Sequence, residues 1–227
     1  MKSVERRGIK PKGKIKIKWS PRFAYAIGLI ATDGCLLNEG RHIDLSSKDR
    51  EMLINYKRCL NIGNKISYKN SLSKKAGLRV QLGDVLFYRF LLGIGLTPAK
   101  SKTLGKLDVP AKHFFDFLRG CFDGDGCFYS YWDPRWRSSF MYYLEFVSAS
   151  KDFIDWIRQS LQGRLKVRGH ITKDGKGSTY QLKYAKRESL KIIQKMYYSD
   201  TVVCLARKRK KIRKALKLGK STRGWRN

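Results

Sequence analysis

One stretch of the chain occurs twice, and no other feature limits the fold as much. Phe23-Ala-Tyr-Ala-Ile-Gly-Leu-Ile-Ala-Thr-Asp-Gly34 returns in altered form as Phe114-Phe-Asp-Phe-Leu-Arg-Gly-Cys-Phe-Asp-Gly-Asp-Gly126. Each copy reads as mostly apolar helical turns that close on Asp-Gly. Gly28 and Gly120 occupy equivalent places, and a glycine inside a helix costs about 1 kcal/mol, which is repaid where a second backbone must come close. The neighbour this implies for each helix is the other copy. Packed so, Asp33 and Asp125 stand side by side at two helix C-termini, where the helix dipole is negative, with Gly34 and Gly126 as left-handed caps. Two carboxylates there repel each other unless a cation lies between them, which reads as a divalent-metal site of oxygen ligands. A single Asp-Gly is an ordinary helix stop. Its repetition after two similar helices favours the site.

At this point the chain resembles a known family. Ala26-Ile-Gly-Leu-Ile-Ala-Thr-Asp-Gly34 and Leu118-Arg-Gly-Cys-Phe-Asp-Gly-Asp-Gly126 look like the two motifs of a single-chain LAGLIDADG homing endonuclease, and the resemblance runs from about Ser20 to Lys211. Ala31 replaces the first acid of the motif, which Asp123 keeps in the second copy. In the family the second acid holds metal, so this departure bears on helix packing more than on chemistry.

The remaining landmarks also come in pairs. Ser20-Pro21 is an N-cap followed by proline at the first helical position. After Gly34, short strands at Cys35–Leu37 and Arg41–Ser46 flank the turn Asn38-Glu39-Gly40, and Ser47 caps a helix from Lys48 to about Leu60 that Ile62-Gly63 ends. Strands at Lys65–Asn70 and Leu78–Leu82 form a second hairpin, with Ile66, Tyr68, Leu78, Val80 and Leu82 inward. A helix from Val85 to Ile94 closes the half. In the second half Cys127–Trp132 and Phe140–Ser148 flank a longer tip at Asp133–Arg137. Ser150-Lys151-Asp152 matches Ser47-Lys48-Asp49. Arg168–Lys173 and Thr179–Tyr184 flank the turn Asp174–Gly177, Tyr180-Gln181-Leu182 echoes Val80-Gln81-Leu82, and a helix spans Arg187–Tyr197. The expected fold is α+β: two pseudo-symmetric αββαββα halves forming a saddle of antiparallel sheets with the motif helices at its centre. The divisions are an arm at 1–19, repeats at 20–95 and 111–206, a linker at 96–110 and a basic tail at 207–227.

The charge says what such a saddle would hold. Fifty Lys and Arg stand against 18 acids in 227 residues, a formal +32, a self-repulsion that calls for a polyanion, nucleic acid first. With 42% hydrophobic and 12% aromatic residues the chain is a packed body and not a disordered tail. The odd set Cys35, Cys59, Cys121, Cys127 and Cys204, without Cys-x-x-Cys spacing, supports neither zinc nor a disulfide framework, and reads as reduced, mostly buried thiols. No segment reads as a membrane span. A cytoplasmic or nucleoid protein follows, with an organelle matrix left open.

Each half would present one polar, basic sheet face, and together they would suit roughly 20 base pairs of duplex. Side chains alternate along strands, placing His42, Asp44, Ser46, Lys65, Ser67, Lys69, Arg79 and Gln81 on the open face of the first half. Tyr143, Glu145, Arg168, His170, Thr172, Gln181 and Lys183 fall on that of the second. Arg79, Arg168 and Lys183 suit guanine, and Gln81 and Gln181 suit adenine. An ordinary solvated sheet face is the plainer alternative for any one of them. Asp33 and Asp125, each with a nearby backbone carbonyl from Thr32 or Gly124, would hold ions at the scissile phosphates. Mg²⁺ suits such ligands. Mn²⁺ is expected to substitute and Ca²⁺ to bind without supporting cleavage. The family resemblance implies basic residues around the site: Lys48 and Lys151, and Lys100 with Arg207 as its counterpart. The reading is a monomeric, metal-dependent endonuclease that breaks both strands of an asymmetric DNA site and needs no protein partner. An RNA maturase or DNA-binding regulator of the same fold is the alternative, and a purely structural RNA-binding protein is a third class.

Overall fold

The computed structural model describes residues 13–69, 77–136, 139–175 and 179–221. The first motif helix, α1 (Pro21–Asp33), opens where the Ser20 hydroxyl accepts from the Phe23 amide at 3.1 Å. It passes into β1 (Gly34–Leu36) and is followed by β2 (His42–Ser47), α2 (Arg50–Leu60), β3 (Ser67–Tyr68), β4 (Leu78–Gly83) and α3 (Val85–Gly93). A segment without helix or strand leads to one 3-10 turn at Ala111–His113. The order then repeats as α4 (Phe114–Asp125), β5 (Cys127–Trp132), β6 (Phe140–Ser148), α5 (Lys151–Leu165), β7 (His170–Lys173), β8 (Tyr180–Ala185) and α6 (Lys186–Met196). A last helix, α7, covers Ala206–Ser221. The strands form two four-stranded antiparallel sheets, ordered β1-β2-β4-β3 and β5-β6-β8-β7.

Glycine sets the central contact. A Cβ on Gly28 would lie 2.2 Å from the carbonyl oxygen of Phe117, and one on Gly120 would lie 2.2 Å from that of Tyr25. The α1 and α4 backbones therefore touch, as the repeated stretch requires. α1 is buried from Phe23 to Ala31, which is why it is apolar all round and not amphipathic. Each sheet buries one face beneath the helices, through Ile43, Leu45, Val80 and Leu82 in the first half and Leu144, Phe146, Leu182 and Tyr184 in the second.

Several expectations are corrected. Gly34 and Gly126 have φ/ψ of −83/150° and −76/154°, extended values that let each motif helix run directly into a strand. They lack a Cβ because one would crowd the Ile30 and Phe122 carbonyl oxygens, at 2.6 Å in both cases. The cap of α2 is Asp49, whose carboxylate accepts from Glu51 N, while Ser47 ends β2; left-handed Asn61 closes that helix ahead of Ile62-Gly63. Tyr68 is 71% exposed instead of inward, because β3 is a two-residue edge strand, with Asn70 outside the described residues. Arg168 precedes β7: Gly169 at φ 57° breaks the alternation, and the amides of both residues donate to the Glu188 carboxylate at 2.7 and 3.1 Å. Of the cysteines only Cys121 is buried, and Cys35 and Cys127 are exposed on the open faces.

The pairing of the halves also shifts. Asp44 stands between Cys35 and Gln81, and Glu145 between Cys127 and Lys183. Gln81 is thus the counterpart of Lys183 and Arg79 that of Gln181, so the match of Gln81 with Gln181 was a likeness of letters and not of register. By the same offset Asp49 corresponds to Ser150, both of them N-caps, so Lys48 and Lys151 are not equivalent. The basic tail is helical to Ser221, with Ile212 and Ala215 buried. Residues before 13, Arg137, Lys176, Gly177 and residues after 221 lie outside the described residues. Among those described, no helix is long and apolar enough to cross a membrane.

Candidate active site

α1 and α4 end together, and the two acids meet there. The Asp33 carboxyl is pushed up to about 6, first by burial and then by the Asp125 charge, against a hydrogen bond from Thr32 at 3.0 Å. Burial also raises Asp125. Gly124 makes the approach possible, since a Cβ there would fall 2.0 Å from Thr32 Oγ1 and 2.4 Å from Asp33 Oδ2. Neither helix has a basic residue in its last turn. The opposing charge comes from elsewhere in the chain.

Two lysines supply it at matching places. Lys100 Nζ donates to the Gly34 carbonyl at 2.5 Å, and Lys208 Nζ donates to those of Phe122, Asp123 and Gly126 at 2.5, 2.9 and 2.7 Å. Each is a cation seated on a helix C-terminus, where the dipole favours it. Burial lowers both ammonium pKa values, while Asp33 is among the charges that hold them up. Ala99, immediately before Lys100, is held at φ 52°, a left-handed conformation that costs a residue with a Cβ roughly 1–2 kcal/mol. The counterpart of Lys100 is therefore Lys208 and not Arg207. Arg207 is exposed and pairs with Asp49, Nε to Oδ2 at 2.7 Å. Matching Ala99-Lys100 to Ala206-Arg207 by letters misses this; the helical spacing of Lys208, Ile212 and Ala215 is the signal that places Lys208 on the inner face of α7.

Lys48 is exposed at the end of β2, and Lys151 pairs with Asp155 at 2.5 Å on α5. Neither is brought to the carboxylates by any contact in the structure. A cavity of about 240 Å³ opens beside the pair, lined by Ala31, Thr32, Lys100, Asp125 and Ser148 among others. Asp123, the acid that Ala31 lacks in the first copy, is fully buried. Its Oδ2 accepts from Tyr25 OH at 2.8 Å and from Leu205 N at 2.7 Å. It ties the motif helices together and to the segment before α7.

The donor set fits a hard divalent ion. Asp33 and Asp125 are oxygen donors held close enough to disfavour their joint ionisation, an arrangement that a cation relieves. Gly124 O lies 3.4 Å from Lys208 Nζ, farther than the other three carbonyls, which leaves it lone-pair capacity. Among the described residues no group of three or more His, Cys, Asp or Glu gathers, so the remaining ligands of such an ion would be carbonyls, water and substrate oxygens.

The open sheet faces carry most of the side chains expected there, partly paired with one another. Arg79 NH1 lies 3.5 Å from Asp44 and Lys183 Nζ 3.8 Å from Glu145, leaving both acids largely covered. His42 bonds Glu39 at 2.8 Å, and Thr172 donates to Gln181 at 3.3 Å. Ser46 is half-buried, while Lys65, Ser67, Lys69, Gln81 and His170 are exposed. Tyr143 stacks between Tyr129 and Tyr131, with centroids 5.3 and 6.2 Å apart.

Fold and site together define a tandem αββαββα protein with a carboxylate from each half at a shared centre. The LAGLIDADG-like domain model matches residues 115–197, in the second half of the chain, and the two-motif LAGLIDADG fold extends over both halves. No curated protein matches the sequence. Among solved structures, the LAGLIDADG meganuclease I-AabMI bound to uncleaved DNA is similar with a TM-score of 0.60 at 14% identity, covering 91% of this chain and 92% of that one. I-DmoI in complex with DNA and Ca gives 0.54 at 15%, covering 88% and 97%. Full-length DUF199/WhiA from Thermatoga maritima gives 0.55 at 15%, covering 89% of this chain, which spans 63% of the WhiA chain. At such identities these likenesses show the fold.

Proposed function

We propose that the chain is a site-specific DNA endonuclease, monomeric and dependent on a divalent metal, that breaks both strands of a long asymmetric target. The observation that carries this is the meeting of Asp33 and Asp125 at the ends of α1 and α4 with a buried lysine seated on each helix end. One acid comes from each half, so one centre can serve one phosphate on each strand. Similar chains were solved on DNA with Mg, Mn or Ca.

Asp33 and Asp125, with the Thr32 and Gly124 carbonyls, would hold the ion, Mg²⁺ or Mn²⁺ for cutting and Ca²⁺ for binding alone; when bound it neutralises phosphate charge and acidifies water. The chain's own residues do the rest. Lys100 and Lys208 set the positive potential that draws phosphate oxygens to the acids and hold the C-terminal carbonyls in place. Lys48 precedes the cap of α2, Lys151 is the first residue of α5, and Arg207 is held by Asp49; they act on the flanking backbone, ordering water and screening phosphates. The open-face side chains from His42 to Gln81 and from Tyr143 to Lys183 read base edges, with Arg79 and Lys183 exchanging their acid partners for bases or phosphates.

A second reading, a DNA-binding regulator that does not cut, is favoured by the likeness to WhiA. Incubation with a library of duplex sites in Mg²⁺ separates the two. The parent is expected to cut, and Asp33→Asn and Asp125→Asn to bind with unchanged affinity and cut about a hundred- to a thousandfold more slowly, as loss of charge stabilisation at a reacting centre costs. Selective binding without cutting by the parent leaves the regulator.

A further inference from the structure

Each open sheet face carries an acid at its heart. Asp44 and Glu145 hold equivalent places, Asp44 between Cys35 and Gln81 and Glu145 between Cys127 and Lys183. Both are only 7% exposed. In a chain of formal +32 with 18 acids, a carboxylate on a face that meets phosphate repels the ligand, and covering it costs desolvation as well.

Neither acid is satisfied by its neighbours. The Arg79 guanidinium stands 3.5 Å from Asp44 Oδ2 and Lys183 Nζ stands 3.8 Å from Glu145 Oε1, both longer than a good charged hydrogen bond. Asp44 Oδ1 and Arg79 Nε are buried with no hydrogen-bond partner among the described residues. Burial pushes the Glu145 carboxyl up, against the charge of Lys183. A buried polar atom without a partner is destabilising, and a ligand that supplies the partner removes that cost.

What a DNA duplex can offer an acid is narrow. Its phosphates and sugar oxygens only accept, and the donors on its major-groove edges are the cytosine N4 and adenine N6 amines. The basic neighbour chooses between them. Arg79 and Lys183 suit guanine N7 and O6, and the base paired with guanine is cytosine, whose N4 amine lies next to O6. One acid beside one basic side chain is therefore the complement of a whole G·C edge.

We propose, resting on the reading of the open faces as a DNA-binding surface, that Asp44 with Arg79 and Glu145 with Lys183 are specificity-determining pairs. Each takes one G·C base pair, guanine on the basic side chain and the cytosine amine on the acid. The two are not built alike. Glu145 faces Lys183 directly in the register of β6 and β8, whereas Asp44 reaches Arg79 diagonally, since Arg79 faces Ser46. The half-sites they read are accordingly unequal.

The test reads binding alone, so a protein that never cuts still answers it. The full parent chain, in Ca²⁺, selects sites from a pool of random duplexes of roughly two turns. One fixed G·C pair is expected in each half of the selected site. Asp44→Asn should change the choice at the first of these and leave the second, and Glu145→Gln should do the reverse. In both cases the change is towards A·T, because an amide pairs with adenine N6 and N7. A second measurement needs no variant: the cytosine of either pair is replaced by 2-pyrimidinone, which lacks the N4 amine. Parent affinity should fall about five- to a hundredfold beyond the effect of the same replacement at an unselected position. A parent that selects no sequence overturns the DNA-reading assignment and this proposal with it. Selection that neither substitution alters overturns the proposal alone. So does a parent indifferent to loss of the amine, which would leave the acids as props for Arg79 and Lys183.

Discussion

Asp33 is in tension with the fold that holds it. Burial and Asp125 raise its carboxyl to about 6. An acid raised on folding contributes stability that is complete below its unfolded value near 4 and is lost as pH rises through 6. At neutral pH without metal the site therefore destabilises the protein. Asp33→Asn should be more stable than the parent by roughly 1–3 kcal/mol at pH 7.5 in EDTA, the gain shrinking below pH 6 and vanishing near pH 4, as urea denaturation would show. Mg²⁺ or Ca²⁺ should raise the parent's melting temperature at pH 7.5 and leave that of Asp33→Asn unchanged. Asp123 differs although it is chemically alike and also pushed up to about 6. Its bonds from Tyr25 and Leu205 use it as a structural acceptor.

At the scale of elements, the motif helices were legible because both ends of the argument are written in residue type. Glycine marks the crossing and Asp-Gly marks the stop. Gly28→Ala should cost about 3 kcal/mol in urea denaturation, near the upper end for an overpacked core, because the added methyl meets the Phe117 carbonyl, which belongs to a helix and cannot yield as a side chain does. The strands were legible by alternation, and β5 and β6 fall where that pattern puts them. Register was not. Val80-Gln81-Leu82 and Tyr180-Gln181-Leu182 look alike, yet hydrogen bonding to β2 and β6 decides which residues correspond. α7 was hidden because lysine and arginine dominate it, and Ile212, Ala215 and partly buried Leu216, with the stem of Lys208, seat it. Lys208 was lost with it, and with Lys208 the symmetry of the two lysines at the centre.

For the whole molecule the dominant quantity is charge. A formal +32 makes association with any polyanion strongly dependent on salt. If six to ten phosphates are neutralised, duplex affinity should fall about 10³- to 10⁵-fold between 50 and 200 mM salt, a slope that fluorescence anisotropy measures directly. A flat dependence would mean that the basic faces do not meet phosphate. The segment just before and at the start of α7 has another consequence. Leu205 N bonds Asp123, Ala206 N bonds the Glu51 carboxylate, Arg207 pairs with Asp49 and Lys208 covers the end of α4. Of these four successive residues, Leu205 and Lys208 fasten the segment to α4, while Ala206 and Arg207 fasten it to α2 and its cap, so one short stretch joins the two halves. That clasp opposes any swing of the two repeats apart and so helps to keep Asp33 and Asp125 together in the free protein.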